Sequence, residues 1–324
     1  MAKQKNKPCR PLLDRFASLG FDCRIKICGG RRTVCATGNR RDDSWLPSKG
    51  EDYIAFVGPQ YSLIPHLEAD RYGKLAFERI FGLNSLSLNI SGVSYSTNRA
   101  RVCIDYSFPS DEINIDGDRW AAFLRISNSI DAKSALNISV GYAHKEGPLT
   151  IQMIPPDSIL NLNVKHIENQ ANYDALLELF GKYNGYFANV ASNIKGKFVQ
   201  LASVPVSRKA ARKCAVKMNL IKEEKAVGDG SDIIEEKASD DAPLFDFEEP
   251  NDKFMKAWDG ITKGEDGTGY TLAKAAMLSG AAIEDGKESS FARCEQQVAL
   301  SKNIFDMSIN DLKQLAISYL NRFI

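Results

Sequence analysis

No apolar run in the 324-residue chain approaches the roughly 18 residues a membrane-crossing helix needs. The basic N-terminus is not followed by a secretory leader's apolar stretch, because Arg10, Asp14, Arg15, Asp22 and Arg24 interrupt it. A soluble cytoplasmic protein with no membrane partner is therefore expected. Net charge is also lacking: 42 Lys and Arg against 41 Asp and Glu leave +1, too little for a global field that would hold the molecule on DNA or an anionic surface. Histidine is scarce, and His66, His144 and His166 show no triad or ligand spacing, so no catalytic residue, metal ligand or cofactor is assigned. The cysteines number seven, an odd count without paired spacing, which argues against a disulfide framework and for free thiols in a reducing compartment. A phosphate-binding loop is missing too. Gly264-Glu-Asp-Gly-Thr-Gly269 has no preceding strand and contains two acids, and reads as a turn between helices.

Charge, nearly absent overall, is strongly segregated. Residues 1–50 carry twelve Lys and Arg against four Asp, and within them Gly29-Gly30 separates two β-rich runs in the pattern of a two-residue hairpin. The implied register pairs Cys28 with Arg31, Ile27 with Arg32, Lys26 with Thr33, Ile25 with Val34 and Arg24 with Cys35. Ile25, Ile27 and Val34 then face a core, while Arg24, Lys26, Arg31 and Thr33 face outward. In that register Cys28 and Cys35 lie roughly 13 Å apart along the ladder, too far to share a zinc ion.

Strand-like alternation recurs at 53–57, 85–90, 100–106, 122–126, 136–140 and 149–153, with one helix at about 66–80. Beyond them Tyr173, Leu176, Leu177 and Phe180 fall at helical spacing, as do Val206, Ala210, Cys214 and Met218. On that second helix Arg208, Lys209, Arg212, Lys213 and Lys217 gather opposite the apolar stripe. Consecutive strands followed by helices predict an α+β fold with a mainly antiparallel sheet. The division expected is a basic hairpin segment at 1–50, a core at 51–222, an acidic linker at 223–252 and a helical region at 253–324.

The linker holds twelve acids and two lysines and is expected to be disordered, because it cannot bury enough apolar surface to offset its ordering entropy. Its run Asp240-Asp241-Ala242-Pro243-Leu244-Phe245 resembles the acidic tip of bacterial single-stranded-DNA-binding proteins, without the terminal carboxylate those tips use, and suggests a docking peptide for a protein partner. Near the C-terminus Ser308 and Asp311 mark a helix start, and Ile309, Leu312, Leu315, Ala316, Tyr319, Leu320 and Phe323 form one apolar stripe.

The segment from Phe108 to Tyr142, with Gly117-Asp118 before a strand and Asn128-Ser129-Ile130-Asp131 before Ala135-Leu136, is similar to the central stretch of the phage/plasmid-like proteins classed as domain of unknown function 932. Val57-Gly-Pro-Gln-Tyr-Ser-Leu-Ile-Pro-His66 and Ala257-Trp-Asp-Gly-Ile-Thr262 resemble flanking parts of the same family. The chain departs from it at Ala143-His-Lys-Glu-Gly147, where family members carry a Cys-x-Asn-Gly turn. The resemblance implies a mobile-element source, a host cytoplasm and no established activity. On the residues themselves, Gly117, Asn128, Ser129 and Asp131 read as turn formers.

The function expected first is non-enzymatic nucleic-acid binding, single-stranded DNA above all, in recombination or replication. Arg24, Lys26, Arg31 and Arg32 on the hairpin, extended by Arg40 and Arg41, would contact phosphates together with the 207–217 helix. The acidic linker would compete for the same surfaces. The alternatives are a protein-interaction factor working through the linker and C-terminal helices, and a metal-dependent hydrolase using acids between Asp111 and Asp118, notably Asp116 and Asp118.

Overall fold

The computed structural model describes residues 16–17, 19, 22–37, 52–96, 99–109, 112–146, 149–154, 162–167, 173–182, 187–218, 220, 253–281, 290–306 and 310. The acidic linker with its 240–245 motif, Arg40, Arg41, Asp111 and the C-terminal stripe lie outside these residues. The architecture is α+β, with antiparallel sheets and several helices. Among the described residues no helix is long and apolar enough to cross a membrane.

The first sheet has the order β1 (Asp22–Cys28), β2 (Arg31–Thr37), β3 (Asp52–Phe56). Its hairpin has the register implied by the sequence, from Cys28↔Arg31 to Arg24↔Cys35. Gly29 and Gly30 supply positive φ angles of 55° and 75° for the turn. Val34 is buried with Cys23, Ala100 and Ile130, and Ile25 packs against that group. Ile27, however, is 69% exposed at the hairpin tip, because the tip extends past the body it was expected to join.

The larger sheet comprises β4 (Asn89–Tyr95), β5 (Arg101–Ser107), β6 (Ile113–Ile115), β7 (Asp118–Ser129), β8 (Leu136–Glu146), β9 (Leu149–Met153) and β10 (Leu162–Val164). Its order is β10-β8-β7-β5-β4, with β6 paired to β7 and β9 to β8, and the pairings are antiparallel. The strand expected at 85–90 begins later. Asn84 accepts the Leu86 N–H through its side chain at 2.9 Å, which turns 85–87 into a short 3₁₀ segment before β4 starts.

Alternation gives this sheet two faces. On one face Val102, Ile104, Tyr106, Trp120, Ala122, Leu124, Ile126, Ile138, Val140 and Tyr142 are buried in the main core. Helix α1 (His66–Phe81) lies across it, and a Cβ at Gly73 would come within 2.2 Å of Ile126 Cδ1, so this glycine sets how closely the helix approaches β7. The core continues through α2 (Tyr173–Gly181), α3 (Phe187–Ala202), α4 (Arg208–Lys217), α5 (Lys253–Thr262) and α6 (Gly269–Ala281). The two-stranded β11 (Pro205–Val206) and β12 (Gly267–Thr268) ties the start of α4 to the start of α6. The Gly264–Gly269 stretch is accordingly the connection between α5 and α6. On the opposite face of the large sheet, α7 (Ser290–Asp306) covers Cys103, and its Ser301 hydroxyl accepts the Ile154 N–H at 3.1 Å.

Candidate functional site

At one end of the core face, three strand residues and two helix residues converge. His144 and Glu146 are two apart on β8 and project to the same side. The β7–β8 register, Ala121↔Ala143, carried three residues further places Asp118 opposite Glu146. One ligand atom each of Asp118, His144 and Glu146 lies within 4.8 Å of the others. From α6 come Tyr270 and Lys274, four apart and so on one helix face. The Lys274 ammonium sits 2.7 Å from Asp118 Oδ2 and 2.8 Å from Glu146 Oε2. Tyr270 donates to Asp118 Oδ2 at 2.8 Å and accepts the Trp120 indole N–H at 2.8 Å. Trp120 is fully buried, and its ring meets those of Phe198, His144 and Tyr270.

The electrostatics follow. Burial opposes the Lys274 ammonium, but the hydrogen bonds it donates to Asp118 and Glu146 outweigh it and push its pKa above the ordinary value. The Lys274 hydrogen bond holds Glu146 below the usual carboxylate range. Burial pushes the Tyr270 phenol far up, so it stays a hydrogen-bond donor. Lys274 is thus a fixed charge, not a base. His144 has Nδ1 3.0 Å from the Arg119 carbonyl and Nε2 3.0 Å from Glu146 Oε2 and 3.5 Å from Asp118 Oδ1. Nδ1 therefore carries its hydrogen toward a backbone acceptor. Nε2 faces two carboxylates either as a second N–H or as a lone pair directed at a cation held between them.

The reverse face of the same strands is polar at its centre. Arg125, 1% exposed, donates to Asp105 through Nε at 2.7 Å and Nη2 at 2.8 Å, and Nη2 also reaches Gln152 Oε1. Gln152 Nε2 donates to Asp105 Oδ2 at 2.9 Å. Beside this network opens a cavity of about 780 Å³ lined by Asp105, Arg119, Phe123, Lys145, Thr150 and Gln152, among others.

The residues singled out from sequence are distributed unevenly. Arg24, Lys26 and Arg31 share the outer face of the hairpin sheet, and Tyr53 and Phe56 stand on that face at 70% and 65% exposure. The Arg31 guanidinium lies 5.4 Å from the Phe56 ring centroid. Thr33, expected to face solvent, is 1% exposed, on the strand that Phe56 flanks. Arg32 does not join the basic face: paired with Ile27, it points to the body and donates to the carbonyls of Pro59 and Tyr61. On α4, Arg208, Lys209, Arg212 and Lys213 are exposed opposite buried Ala210, Ala211 and Cys214, as expected, and the Lys217 side chain lies outside the described residues. Arg208 is nevertheless committed, forming a two-pronged pair with Asp259 at 2.8 and 2.9 Å that lowers the Asp259 pKa.

The family-like residues are divided between two turns at opposite ends of β7. Asp116 and Gly117 form the tight β6–β7 turn with positive φ, Asp116 pointing to solvent, so of the expected acidic pair only Asp118 enters the cluster. Asn128 and Ser129 end β7 and are buried, and the turn that follows is capped as expected: Asp131 Oδ1 accepts the Lys133 N–H at 3.2 Å and Ser129 Oγ the Ser134 N–H at 3.3 Å. Asn128 Nδ2 donates to the Ile64 carbonyl at 2.9 Å and to His66 Nδ1 at 3.0 Å, fixing the start of α1. Asp131 accepts from Ser129 Oγ and lies 3.6 Å from Arg101 Nε.

No family model, curated protein or solved structure matches this chain. The site rests on geometry. His144, Glu146 and Lys274 were not picked out from sequence. The His-x-Glu alternation on a strand was the available signal, and it gains meaning only once β7 and α6 are placed beside it.

Proposed function

We propose that Asp118, His144 and Glu146 hold a divalent cation and that the protein is a metal-dependent hydrolase. The observation that carries this is the convergence of the three ligand atoms within 4.8 Å of one another, with the histidine's other nitrogen anchored on a backbone carbonyl. One imidazole and two carboxylates suit Mn²⁺ or Zn²⁺ better than Mg²⁺. Three protein ligands leave room for a water that such an ion would acidify. Lys274 holds the two carboxylates together in the absence of the ion, and Tyr270 orients Asp118. Thermal melts with MnCl₂ or ZnCl₂ test this: an ion at a hundred times its dissociation constant should add about 2.7 kcal/mol of stability. Asp118→Asn and His144→Gln should abolish that gain, each judged against its own melt in EDTA. Equal gains in wild type and variants, or none, would make the cluster an ion-pair lock and remove the hydrolase reading. Bis-p-nitrophenyl phosphate hydrolysis, present with Mn²⁺ and absent from Asp118→Asn, is the activity expected.

A specific observation favours a second reading, contact with single-stranded nucleic acid. The hairpin sheet displays two exposed aromatic rings among Arg24, Lys26 and Arg31, the combination that stacks bases while neutralising phosphates. Anisotropy with a labelled oligo-dT should show binding that weakens steeply with salt. Tyr53→Ala with Phe56→Ala should reduce it at least about tenfold at low salt; unchanged affinity would discard this surface.

A further inference from the structure

On the face of the sheet away from the cation cluster, α7 closes over β5 and brings two thiols together. Cys103 of β5 and Cys294 of α7 are 3% and 6% exposed and pack with Phe291 as a separate buried group. Cys103 Sγ lies 3.3 Å from Ser127 Oγ, with Cys294 beside it in the same buried group. Between helix and sheet is a cavity of about 230 Å³, lined by Cys103, Arg125, Ser127, Ser139, Phe291 and Cys294, among others. Arg125 lies against it. Its Nε and Nη2 are taken by Asp105 and Gln152, whereas Nη1 is fully buried and has no partner among the described residues. A buried donor without an acceptor is costly, and here it belongs to a guanidinium beside two sulfurs and that cavity.

We propose that this cavity is a thiol site for small hydroperoxides, in which Cys294 is the attacking sulfur, Cys103 the thiol that closes the disulfide, and Arg125 the cation that steadies the sulfur anion and the oxygen leaving it. In the first step the Cys294 thiolate attacks one peroxide oxygen. An S–O bond forms, the O–O bond breaks, two electrons pass from sulfur to oxygen, and hydroxide or alkoxide departs to leave a sulfenic acid. In the second, Cys103 sulfur attacks Cys294 sulfur. The S–S bond forms, the S–O bond breaks, and the hydroxyl leaves with the Cys103 proton as water. The division of roles follows from charge: the neighbouring Cys103 thiol and the nearby Arg125 guanidinium pull the Cys294 thiol down despite its burial, while the Cys294 sulfur and burial push Cys103 up. The product staples α7 to β5. This inference is independent of the cation cluster, whose residues lie on the other face.

The test uses the full reduced chain with hydrogen peroxide as probe, followed by non-reducing digestion and mass spectrometry. A Cys103–Cys294 peptide pair lighter by two hydrogens is expected. In Cys103→Ser, dimedone should trap a sulfenic acid at Cys294 about tenfold sooner than any product at half-buried Cys28. In Cys294→Ser, Cys103 should stay reduced on that timescale. The proposal fails if no linked pair forms, if Cys103 oxidises equally fast in Cys294→Ser, or if Cys294 reacts only under conditions where a parallel melt shows the protein unfolded. Melts of both serine variants establish that they are folded before peroxide is added.

Discussion

Replacing Lys274 by Met removes the ammonium between Asp118 and Glu146 while keeping much of the aliphatic stem. The Lys274 side chain is 9% exposed, that of Asp118 18% and that of Glu146 42%. Removing one partner from a fully buried pair costs about 3–5 kcal/mol and from a surface pair up to about 1 kcal/mol. This site lies between, so a loss of about 2–3 kcal/mol is expected, or about 3–4 °C in melting temperature for a chain of this size. The pH dependence is more diagnostic. Glu146, lowered in the folded state from its ordinary 4.5, contributes stability present above that value and lost as pH falls through the folded one. Lys274, raised from 10.5, contributes stability present below that value and lost as pH rises through the folded one. The gap between wild type and Lys274→Met should therefore be widest between about pH 5 and pH 10 and narrow on both sides. Denaturant titrations across that range measure it. A variant equal to wild type at pH 7, or a gap that grows in acid, would refute the role assigned to Lys274.

Gly73→Ala should destabilise by about 1–2 kcal/mol, the clash with Ile126 exceeding the helix-propensity gain of about 1 kcal/mol. In an Ile126→Ala background, where the obstructing atoms are gone, the same change should become stabilising, and a denaturant double-mutant cycle reads the reversal. His66, fully buried, is held down to about 4 by burial, with Asn128 donating to Nδ1 and Nε2 2.8 Å from the Arg99 carbonyl. A depressed histidine loses its stability contribution as pH falls from its ordinary 6.5 through about 4, at about 1.4 kcal/mol per pH unit. His66→Gln should flatten that part of the acid denaturation curve, leaving the slope from His166, likewise lowered to about 4.

Local patterns in the sequence placed much of the fold because they were decided by near neighbours. The Gly29-Gly30 turn set the register of β1 and β2, and period-two runs located most strands of the large sheet. The α3 stripe of Ile194, Phe198 and Leu201 went unassigned although it carries a helical period. The site was less legible, because its parts are distant in the chain: Asp118 and Glu146 meet through strand pairing, and Lys274 arrives from a helix beyond the acidic stretch. Charge alone also could not show that Arg32 and Arg208 are engaged within the chain. Composition cannot distinguish a cation facing solvent from one donating to Pro59 and Tyr61 or clasping Asp259.

The order in which the ribosome delivers these groups has a consequence of its own. Asp118, Trp120, His144 and Glu146 emerge early, and Tyr270 and Lys274 follow more than a hundred residues later, some ten seconds or so at about 5–20 residues per second. Throughout that interval the nascent sheet end presents two carboxylates without their ammonium and an indole N–H without its phenolic acceptor, on a surface that α6 will cover. The growing chain therefore has a stretch of synthesis in which this end must stay wet or be shielded by other proteins, and it closes only once α6 has been made.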